Sequence, residues 1–529
     1  MKILTADEMR TVDRLTAERF GVPSLELMRN AGSAVARFVL REFPACRRIA
    51  VLCGKGNNGG DGFIAARRLE AAGCAIRVLL LANPSELKDD AKLAFDEMGL
   101  QPLVVKDEAA LSSTRVQQAL NSAELIIDAV VGTGFKPPLR GLPAALRDVV
   151  NSLSAPVVAV DLPSGWDADD RSFQAEGAFR SSAVVTFTAP KLAHVSGNLT
   201  RNATGAIVVA PIGSPDEAVE SNTGLTWSGA AKSITETPRT PDANKGLYGH
   251  VLVLAGSRGK SGAAAMASLA ALRTGAGLVT AAVPHSILPS VAAITPELMT
   301  LPLAEGSAGE IDPSNLDPEN LKKLLARATV IAIGPGMGME AEAFVLGLIQ
   351  KTDLPIVIDA DALNILASHP DRIDGSGRTM VLTPHPGEMA RLTGISTKQV
   401  QASREPLARE FAKRHNVTLV LKGWRTLIAH PDGRIAVNMT GNPGMAKGGS
   451  GDILTGVIAA MLAQYPRQAD QAVEAAAYLH GLAADFALRE QDERTLLATD
   501  TVSHLFRAFR FRPQDEAGYV WLQGLPSAR

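Results

Sequence analysis

The chain has 529 residues, of which 46% are hydrophobic and 20% charged, and its formal net charge at pH 7 is −2. This near-neutral balance creates no overall field that would attract nucleic acid or an anionic membrane, so neither is expected as a partner. The three cysteines lack metal-ligand spacing and the polar N-terminus lacks a signal-peptide core, which favours a reduced, cytoplasmic protein without a zinc site.

Short apolar, β-branched runs alternate with helix-compatible stretches, which is typical of βαβ units around a parallel sheet. After a predicted helix at 24–41, strands are predicted at 48–53, 75–81, 124–131, 156–161, 183–188 and 206–210. Further strands are predicted at 250–255, 278–283, 329–333, 355–359, 379–383, 418–422 and 426–429, then helices at 451–463 and 469–487. Residues 213–247 lose this periodicity and collect Pro, Ser, Thr and Gly. The length and this break predict two α/β domains, at 1–220 and 241–515, with a linker at 221–240.

A Gly-rich loop at 54–62 (GKGNNGGDG) follows the first predicted strand and opens a helix. Its spacing matches neither a Rossmann G-x-G-x-x-G fingerprint nor a Walker A loop, and taken alone it is compatible with a plain tight turn. Two later strands also end in polar loops, at 128–137 and 161–165. Ligands of an open parallel sheet bind beyond the carboxyl ends of its strands, so the three loops are expected to converge on one crevice.

Oxygen-bearing side chains in these loops indicate a weakly held alkali cation rather than zinc. They belong to Asn58, Asp128 and Ser164. Asp161 ends a strand nearby, where an Asp is also a common helix cap. The sequence therefore predicts a small-molecule site at these loops but does not itself specify a reaction.

The motifs GKGNNGGDG, DAVVGTGFKPPLRG and VDLPSGWD, in this order after ELMRNAG, closely resemble the N-terminal domain of the YjeF family, the NAD(P)H-hydrate epimerases. The resemblance covers about residues 1–215 and implies a Rossmann-like three-layer sandwich. It implies that potassium is held by the three oxygen-bearing residues above. The implied contacts to the hydrated cofactor are Asn57, Asn58, Gly59, Gly60, Asp61, Gly132, Thr133, Gly134, Phe135, Lys136, Pro137 and Pro138.

The same resemblance implies that Asp161 contacts substrate near C6, the carbon at which the R and S hydrates differ. Their interconversion needs acid/base help during ring opening or during loss and return of water, and Asp161 is the predicted residue. Lys191, in TAPKLAH, resembles the family's APK element. Ala-His follows where Pro-Gly or similar is expected, so no catalytic role is predicted for Lys191.

The sharpest motif is the Gly-rich loop 442–452 (NPGMAKGGSGD), which runs into a predicted helix with Asp452 in its first turn. Backbone N–H groups at such a helix start form an anion hole for a transferring phosphoryl group. Asp452 is then positioned to take a proton from the attacking hydroxyl. A lone Asp can also merely complement the helix dipole, but the preceding G-G-S-G favours the catalytic interpretation.

Five motifs occur in chain order: KGLYGHVLV, GPGMG, DADALN, TPHPGE and the Gly-rich loop 442–452. Together they resemble the YjeF C-terminal domain, the ADP-dependent NAD(P)H-hydrate dehydratases of the ribokinase-like superfamily. The resemblance covers about residues 240–510 and implies a ribokinase-like α/β domain. It implies that Gly336, His385 and Asp452 contact the hydrated cofactor. The implied nucleotide contacts are Lys422, Gly423, Trp424, Arg425, Thr426 and Gly451. His385 alone is compatible with an ordinary loop histidine, and Asp359 and Asp361 are interpreted as turn formers without assigned chemistry.

Together the halves predict a bifunctional enzyme that epimerises NADHX and NADPHX and dehydrates the S form with ADP, giving AMP and phosphate. ADP, Mg²⁺ and K⁺ are the implied cofactors, and a homo-oligomer acting on small molecules is expected. Two alternatives stay open. A vitamin or sugar kinase would share Asp452 and the anion hole, and the N-terminal half would serve as a binding scaffold if catalysis were confined to the C-terminal half.

Overall fold

The computed structural model describes residues 1–527. Two compact units divide the chain: unit 1 contains residues 1–224 and the segment from 512 onward, and unit 2 contains residues 225–511. Each unit is built on one large, mainly parallel sheet with helical connections, so the predicted α/β class is confirmed. None of the helices within residues 1–527 has the length and apolarity that crossing a bilayer requires.

Unit 1 begins with a parallel sheet whose order is β7-β6-β5-β4-β1-β2-β3. Its strands are β1 Arg48–Cys53, β2 Ala75–Leu80, β3 Leu103–Val104, β4 Leu125–Ala129, β5 Val157–Val160, β6 Ala183–Phe187 and β7 Ala206–Ala210. The central strands are buried throughout and apolar except at Asp128 and Thr186, as a parallel sheet covered on both faces requires. The chain runs from β1 to β2 and β3 on one side and then crosses from β3 to β4 on the other side of β1, and this reversal opens a crevice at the carboxyl ends of the strands.

The helices of unit 1 include one long amphipathic element at the start of the chain. They are α1 Ala6–Phe20, α2 Ser24–Glu42, α3 Asn57–Ala71, α4 Asp89–Met98, α5 Glu108–Leu111, α6 Thr114–Asn121, α7 Leu142–Ser152 and α8 Leu192–Ser196. Helix α1 begins in a capping box formed by Thr5 and Glu8 and ends at Gly21, whose φ of 70° suits a glycine C-cap.

Unit 2 contains a sheet of order β11-β10-β9-β12-β13-β14-β15-β16-β17-β8. Its strands are β8 Leu225–Trp227, β9 His250–Leu254, β10 Leu278–Pro284, β11 Met299–Leu303, β12 Val330–Ile333, β13 Ile356–Ile358, β14 Met380–Leu382, β15 Thr418–Leu421, β16 Thr426–Ala429 and β17 Ile435–Asn438. The strands from β11 to β15 are parallel, and β15, β16 and β17 form an antiparallel meander at one side.

The helices of unit 2 surround one almost completely buried helix, α17. They are α9 Ser261–Thr274, α10 Leu288–Ala292, α11 Pro318–Leu325, α12 Glu342–Lys351, α13 Ala360–Ala367, α14 Pro386–Thr393, α15 Thr397–Ala402, α16 Arg404–His415, α17 Ser450–Gln464, α18 Ala469–Leu488 and α19 Ala498–Arg510. Residues 453–463 of α17 are all buried. Small residues allow this packing: a Cβ on Gly456 would lie 2.1 Å from the carbonyl oxygen of Ala267 in α9.

After α19 the chain returns to unit 1 as a final strand, β18 (Val520–Gln523), which pairs antiparallel with β7. The buried Tyr519 donates a hydrogen bond to the Ala34 carbonyl at 2.7 Å, and the buried Trp521 donates to Asp515 at 2.9 Å. The structure thus differs from the predicted boundaries, because part of the predicted linker 221–240 is strand β8 of unit 2 and the C-terminal residues complete unit 1. Neither strand was predicted, because each lies outside the regular strand–helix alternation and pairs with a strand far from it in sequence.

Candidate active sites

The loops that follow β1, β4 and β5 line one cavity of about 920 Å³ in unit 1. The predicted residues that line it are Asn57, Asn58, Asp61, Gly132, Thr133, Gly134, Phe135 and Asp161. Residues not predicted for the site also reach the cavity, among them Asp13 of α1, Met28 of α2 and Lys191.

The other predicted contacts of this site do not line the cavity. They are Gly59, Gly60, Lys136, Pro137 and Pro138. Close packing requires glycine at both positions. A Cβ on Gly59 would lie 2.0 Å from the Gly54 carbonyl oxygen, and one on Gly60 would lie 2.5 Å from the Met28 sulfur. Lys136 instead pairs with Asp167 at 2.8 Å. The glycines therefore let α3 begin close to the preceding loop, which brings the asparagines before them to the cavity.

Asp161 is the best-connected carboxylate of the cavity. Its Oδ1 accepts hydrogen bonds from Lys191 Nζ at 2.7 Å and from Thr186 at 2.8 Å, and its Oδ2 accepts from Thr133. Burial alone would raise the pKa of Asp161, but the buried Lys191 outweighs it and holds that pKa below its ordinary value. Asp161 is therefore an ionised carboxylate with both oxygens engaged.

His194 forms hydrogen bonds to the backbone of both Lys191 and Asp161. Its Nδ1 accepts from the Lys191 backbone N–H at 2.9 Å, so its Nε2 is the ring nitrogen that donates to the Asp161 carbonyl at 2.7 Å. Burial, together with the nearby Lys191 charge, lowers the pKa of His194 to about 4, so the ring is neutral. This contact joins Lys191 to Asp161, whose φ of 67° is unusual for a residue with a side chain. His194 belongs to the Ala-His sequence that departs from the expected motif and that led to no catalytic role being predicted for Lys191. The structure shows that this same histidine holds Lys191 in place.

Asp13 and Asp61 add two carboxyl groups to the cavity. Burial raises the pKa of Asp13 to about 6, and burial raises that of Asp61 well above its ordinary value. Asp13 was not predicted because its only sequence signal, an acidic residue in an amphipathic helix, is usually a solvated face.

The predicted potassium ligands lie at a neighbouring corner. Asp128 is fully buried, and its two oxygens accept from the Ser164 hydroxyl at 2.6 Å and the Ser164 N–H at 2.8 Å. Asn58 lies against Gly132, where a Cβ would be 3.0 Å from Asn58 Oδ1. Burial raises the pKa of Asp128 to about 6, and its hydrogen-bonding neighbours are neutral groups. A buried carboxylate among neutral oxygen donors fits a monovalent cation, which would supply the missing positive charge.

The unit 2 site lies at the carboxyl ends of β12, β13, β14 and β15, beside the start of α17. Asp452 occupies the first turn of α17, after Gly449, whose φ is 95°. Burial raises the pKa of Asp452 to about 6, and the negative charge of Asp359 adds to this while Lys422 opposes it. Asp452 is therefore a carboxyl group that exchanges a proton near neutral pH.

Asp359, to which the sequence assigned no chemistry, is the hub of this site. Its Oδ1 accepts from Lys422 Nζ at 2.8 Å and from Thr383 at 2.7 Å, while its Oδ2 accepts from Thr455 of α17 at 2.8 Å. A Cβ on Gly451 would lie 3.3 Å from Lys422 Nζ. The network therefore fixes the start of α17 against three strand ends and brings Lys422, Gly451 and Asp452 together.

Gly336 and His385 lie on loops that are themselves held in place. The Gly336 carbonyl accepts from Ser257 at 2.8 Å, and Asp361 accepts from the Gly338 N–H at 2.8 Å. His385 caps α14, since its Nδ1 accepts from the Gly387 N–H at 3.0 Å. The second ring nitrogen of His385 is 3.4 Å from Glu388 Oε1, and half of the side chain is exposed.

The predicted nucleotide segment 422–426 divides in two. Lys422 faces the start of α17, whereas Arg425 is buried, stacks on Trp424 at 4.3 Å and donates to the Met439 carbonyl at 3.1 Å. Burial lowers the pKa of Arg425 to about 9, with Asp485 opposing. Arg425 is thus part of the packing under the Gly-rich loop. Gly423 and Thr426 adjoin these residues, and Gly423 has a φ of 134°.

Two family models match the chain. Residues 24–193 match the model described as the YjeF-related protein N-terminus, and residues 251–507 match the one described as NAD(P)H-hydrate dehydratase. A bifunctional NAD(P)H-hydrate repair enzyme of Moorella thermoacetica is 42% identical over 518 residues, 96% of each chain. Its counterpart in Thermofilum pendens is 36% identical over 524 residues, 97% of each chain. A crystal structure of an ADP/ATP-dependent NAD(P)H-hydrate dehydratase from Bacillus subtilis, with ATP/Mg²⁺, is 32% identical, covers 55% of this chain and 99% of its own, and has a TM-score of 0.47.

Proposed function

Because the chain belongs to the family of bifunctional NAD(P)H-hydrate repair enzymes, we propose that unit 1 interconverts the R and S hydrates of NADH and NADPH and that unit 2 dehydrates the S form. The observation that carries this proposal is the presence in one chain of two separate sites, a carboxylate-lined cavity and a base beside a helix start. Neither a vitamin or sugar kinase nor a passive scaffold accounts for both.

In unit 2 the reaction begins when Asp452 takes the proton of the C6 hydroxyl of the S hydrate. The hydroxyl oxygen attacks the terminal phosphoryl group of ADP, and the backbone N–H groups at the start of α17 stabilise the transferred charge. AMP leaves as the phosphoryl group is transferred to the C6 oxygen. Phosphate then leaves C6 far more readily than hydroxide would, and loss of a proton from C5 completes the elimination that regenerates the dihydropyridine. The pKa of Asp452, raised to about 6 by burial, supports its role as the base.

The nucleotide in unit 2 is proposed to bind beside Lys422 and Gly451, where a Cβ on Gly451 would lie 3.3 Å from Lys422 Nζ and would crowd the lysine that faces the phosphate oxygens. Gly336 and His385, on the loops that follow β12 and β14, are the proposed contacts of the hydrated cofactor. Residues 423–426 adjoin Lys422 in the chain, and Arg425 packs beneath the Gly-rich loop.

Magnesium is proposed to accompany the nucleotide, where it neutralises phosphate charge. It commonly takes one or two carboxylates and completes its shell with water and phosphate oxygens. The carboxylates of Asp359, Asp361 and Asp452 interact electrostatically. Lys422 pairs with Asp359 and Lys260 lies 3.4 Å from Asp361, so three carboxylates against two lysines leave a negative excess that fits a divalent cation. Asp361, with a partly exposed carboxylate, is the residue that would hold it.

In unit 1 the cavity residues of the loops 57–61 and 132–135 are proposed to bind the hydrated cofactor, with Asp161 in contact near C6. The ionised Asp161–Lys191 pair supports a role for Asp161 through its fixed charge, which orients the polar groups of the substrate near C6. Asn58, Asp128 and Ser164 would hold potassium, whose charge would compensate the buried Asp128.

The decisive experiment follows nucleotide-dependent repair by the full-length chain. Purified S hydrate with ADP, with ATP or without nucleotide is monitored by recovery of NADH absorbance, and purified R hydrate is monitored by its conversion to S. Repair with a nucleotide and conversion of R to S support both activities, and inertness toward either substrate would refute the corresponding half. The predicted homo-oligomer and cytoplasmic location stay predictions, to be tested by light scattering and cell fractionation.

A further inference from the structure

The cavity of unit 1 needs a group that can both give and take a proton, and Asp161 is poorly suited to this. Its oxygens already accept from Lys191, Thr186 and Thr133. The Lys191 charge also keeps its pKa below the ordinary range against the effect of burial. A general acid/base near neutral pH needs a free oxygen and a pKa close to the working pH.

Asp13 meets the geometric requirement. It lines the same cavity from α1, one helical turn after Met9, and its Oδ1 is buried without a hydrogen-bond partner among residues 1–527. An unpaired buried carboxyl oxygen is costly, so it indicates that a partner is supplied by a ligand.

The start of α1 is anchored to the same segment that carries Lys191. The Leu4 N–H donates to the Pro190 carbonyl at 2.9 Å, and the Leu192 N–H donates to the Leu4 carbonyl at 3.2 Å. The capping box of Thr5 then starts the helix. This anchoring holds Asp13 at a constant position relative to the Asp161–Lys191 pair.

Burial and the charged groups that face Asp13 together set its pKa. Burial raises the pKa of Asp13 to about 6, the negative charge of Asp161 acts in the same direction, and Lys191 acts against both. Burial, together with the negative charges of Asp161 and Asp13, raises the pKa of Asp61, which also faces Asp13, well above its ordinary value. Asp13 therefore combines a cavity position and an unpaired oxygen with a pKa of about 6.

We propose that Asp13 is a catalytic residue of the epimerase site and carries the proton of the C6 hydroxyl during ring opening and closure. The inference rests on the proposed epimerase function of unit 1. The Asp13 carboxylate removes the hydroxyl proton, the O–H electrons form the C6 carbonyl, and the C6–N1 bond breaks with its electron pair on N1. Asp13 then protonates N1. After rotation about the C5–C6 bond the same steps run in reverse on the other face of the aldehyde, and no further reactant is consumed.

The test uses Asp13→Asn in the full-length chain, with Glu18→Gln as a matched control on the exposed part of α1. We expect interconversion of R and S to fall about 100-fold or more in Asp13→Asn, the usual contribution of general acid/base catalysis. Asp13→Glu should retain part of the rate, and the ionisation near pH 6 in the wild-type profile should be absent from the asparagine variant. The control and the ADP-dependent dehydration by unit 2 should be unchanged.

Wild-type epimerisation in Asp13→Asn, with an unchanged pH profile, would overturn the inference, whereas failure of the wild-type chain to interconvert the hydrates would instead refute the proposed function. Asp13→Ala with added formate separates catalysis from folding. Recovery of epimerisation with formate supports a proton-carrying role. A folded alanine variant that is inactive and not restored by formate would assign Asp13 a structural role and overturn the inference.

Discussion

Lys422 Nζ lies 2.8 Å from Oδ1 of Asp359, and both groups lie beside Gly451 at the start of α17. Asp359 is buried and also accepts hydrogen bonds from Thr383 and Thr455. The ion pair therefore both anchors α17 to the strand ends and sets the charge that Asp452 experiences. Its negative member raises the pKa of Asp452, while its positive member faces the proposed phosphate site.

Replacing Asp359 should change the pH dependence of dehydration. In Asp359→Asn, Asp452 loses a negative neighbour and keeps Lys422, so its pKa falls from about 6 toward its ordinary value. Because Asp452 acts in its ionised form, the acid limb of the rate–pH profile should move to lower pH by about one unit. Asp371→Asn, at an exposed position, is the control. An acid limb that stays in place would show that Asp359 does not tune Asp452.

Lys191 should be required for both the stability and the activity of unit 1. Lys191→Met leaves the buried Asp161 carboxylate without its cation, at a cost of about 3–5 kcal/mol. Epimerisation should be lost and calorimetry should show that unit 1 unfolds at a lower temperature, while dehydration by unit 2 persists. Lys92→Met breaks an exposed pair with Asp96 and should cost less than about 1 kcal/mol. Equal unfolding temperatures of unit 1 in the two variants would contradict the structural role of the buried pair.

The C-terminal segment should be needed by the N-terminal activity. Trp521→Ala removes a large buried side chain of β18, which should destabilise unit 1 by about 3–5 kcal/mol. The two activities measured after graded heating should separate, with epimerisation lost first and dehydration at its wild-type temperature. Glu516→Ala, on the exposed part of the same segment, serves as the control. Parallel loss of both activities would contradict the assignment of β18 to unit 1.

His430 should make the stability of unit 2 depend on pH. Its Nε2 lies 3.0 Å from Glu474, and Asp470 is 3.4 Å from its other ring nitrogen. Burial alone would lower the pKa of His430, but these carboxylates raise it from 6.5 to about 9. A raised pKa stabilises the fold fully below pH 6.5, and this stabilisation is lost as the pH rises through about 9.

The temperature at which half of the dehydratase activity is lost should therefore decrease as the pH is raised from 6.5 to 9 in the wild-type chain. This decrease should be smaller in His430→Gln. His285→Gln, at an exposed histidine, should behave like the wild type. If the glutamine variant kept the full pH dependence, the stabilising charge would have to lie elsewhere.

The sequence predicts the features of this molecule that depend on local pattern. Continuous β-branched runs located the strands, and glycines before an acidic helix start located Asp452. It does not predict contacts between distant elements. Asp359 meets Thr455, 96 residues away, and Tyr519 meets Ala34, 485 residues away, because sheet order and helix packing bring them together. Lys191 was missed for the same reason, since its partner Asp161 is 30 residues away on another strand end.

The central claim, that one chain holds two independent activities with Asp452 as the base of the second, is tested most directly by Asp452→Asn in the full-length protein. Wild-type dehydration of the S hydrate with ADP should increase as the pH rises through about 6, the pKa to which burial raises Asp452. The variant should lose dehydration about 100-fold or more while it interconverts R and S hydrates at the wild-type rate. Dehydration at the wild-type rate in Asp452→Asn, or loss of both activities in a folded variant, would contradict the account.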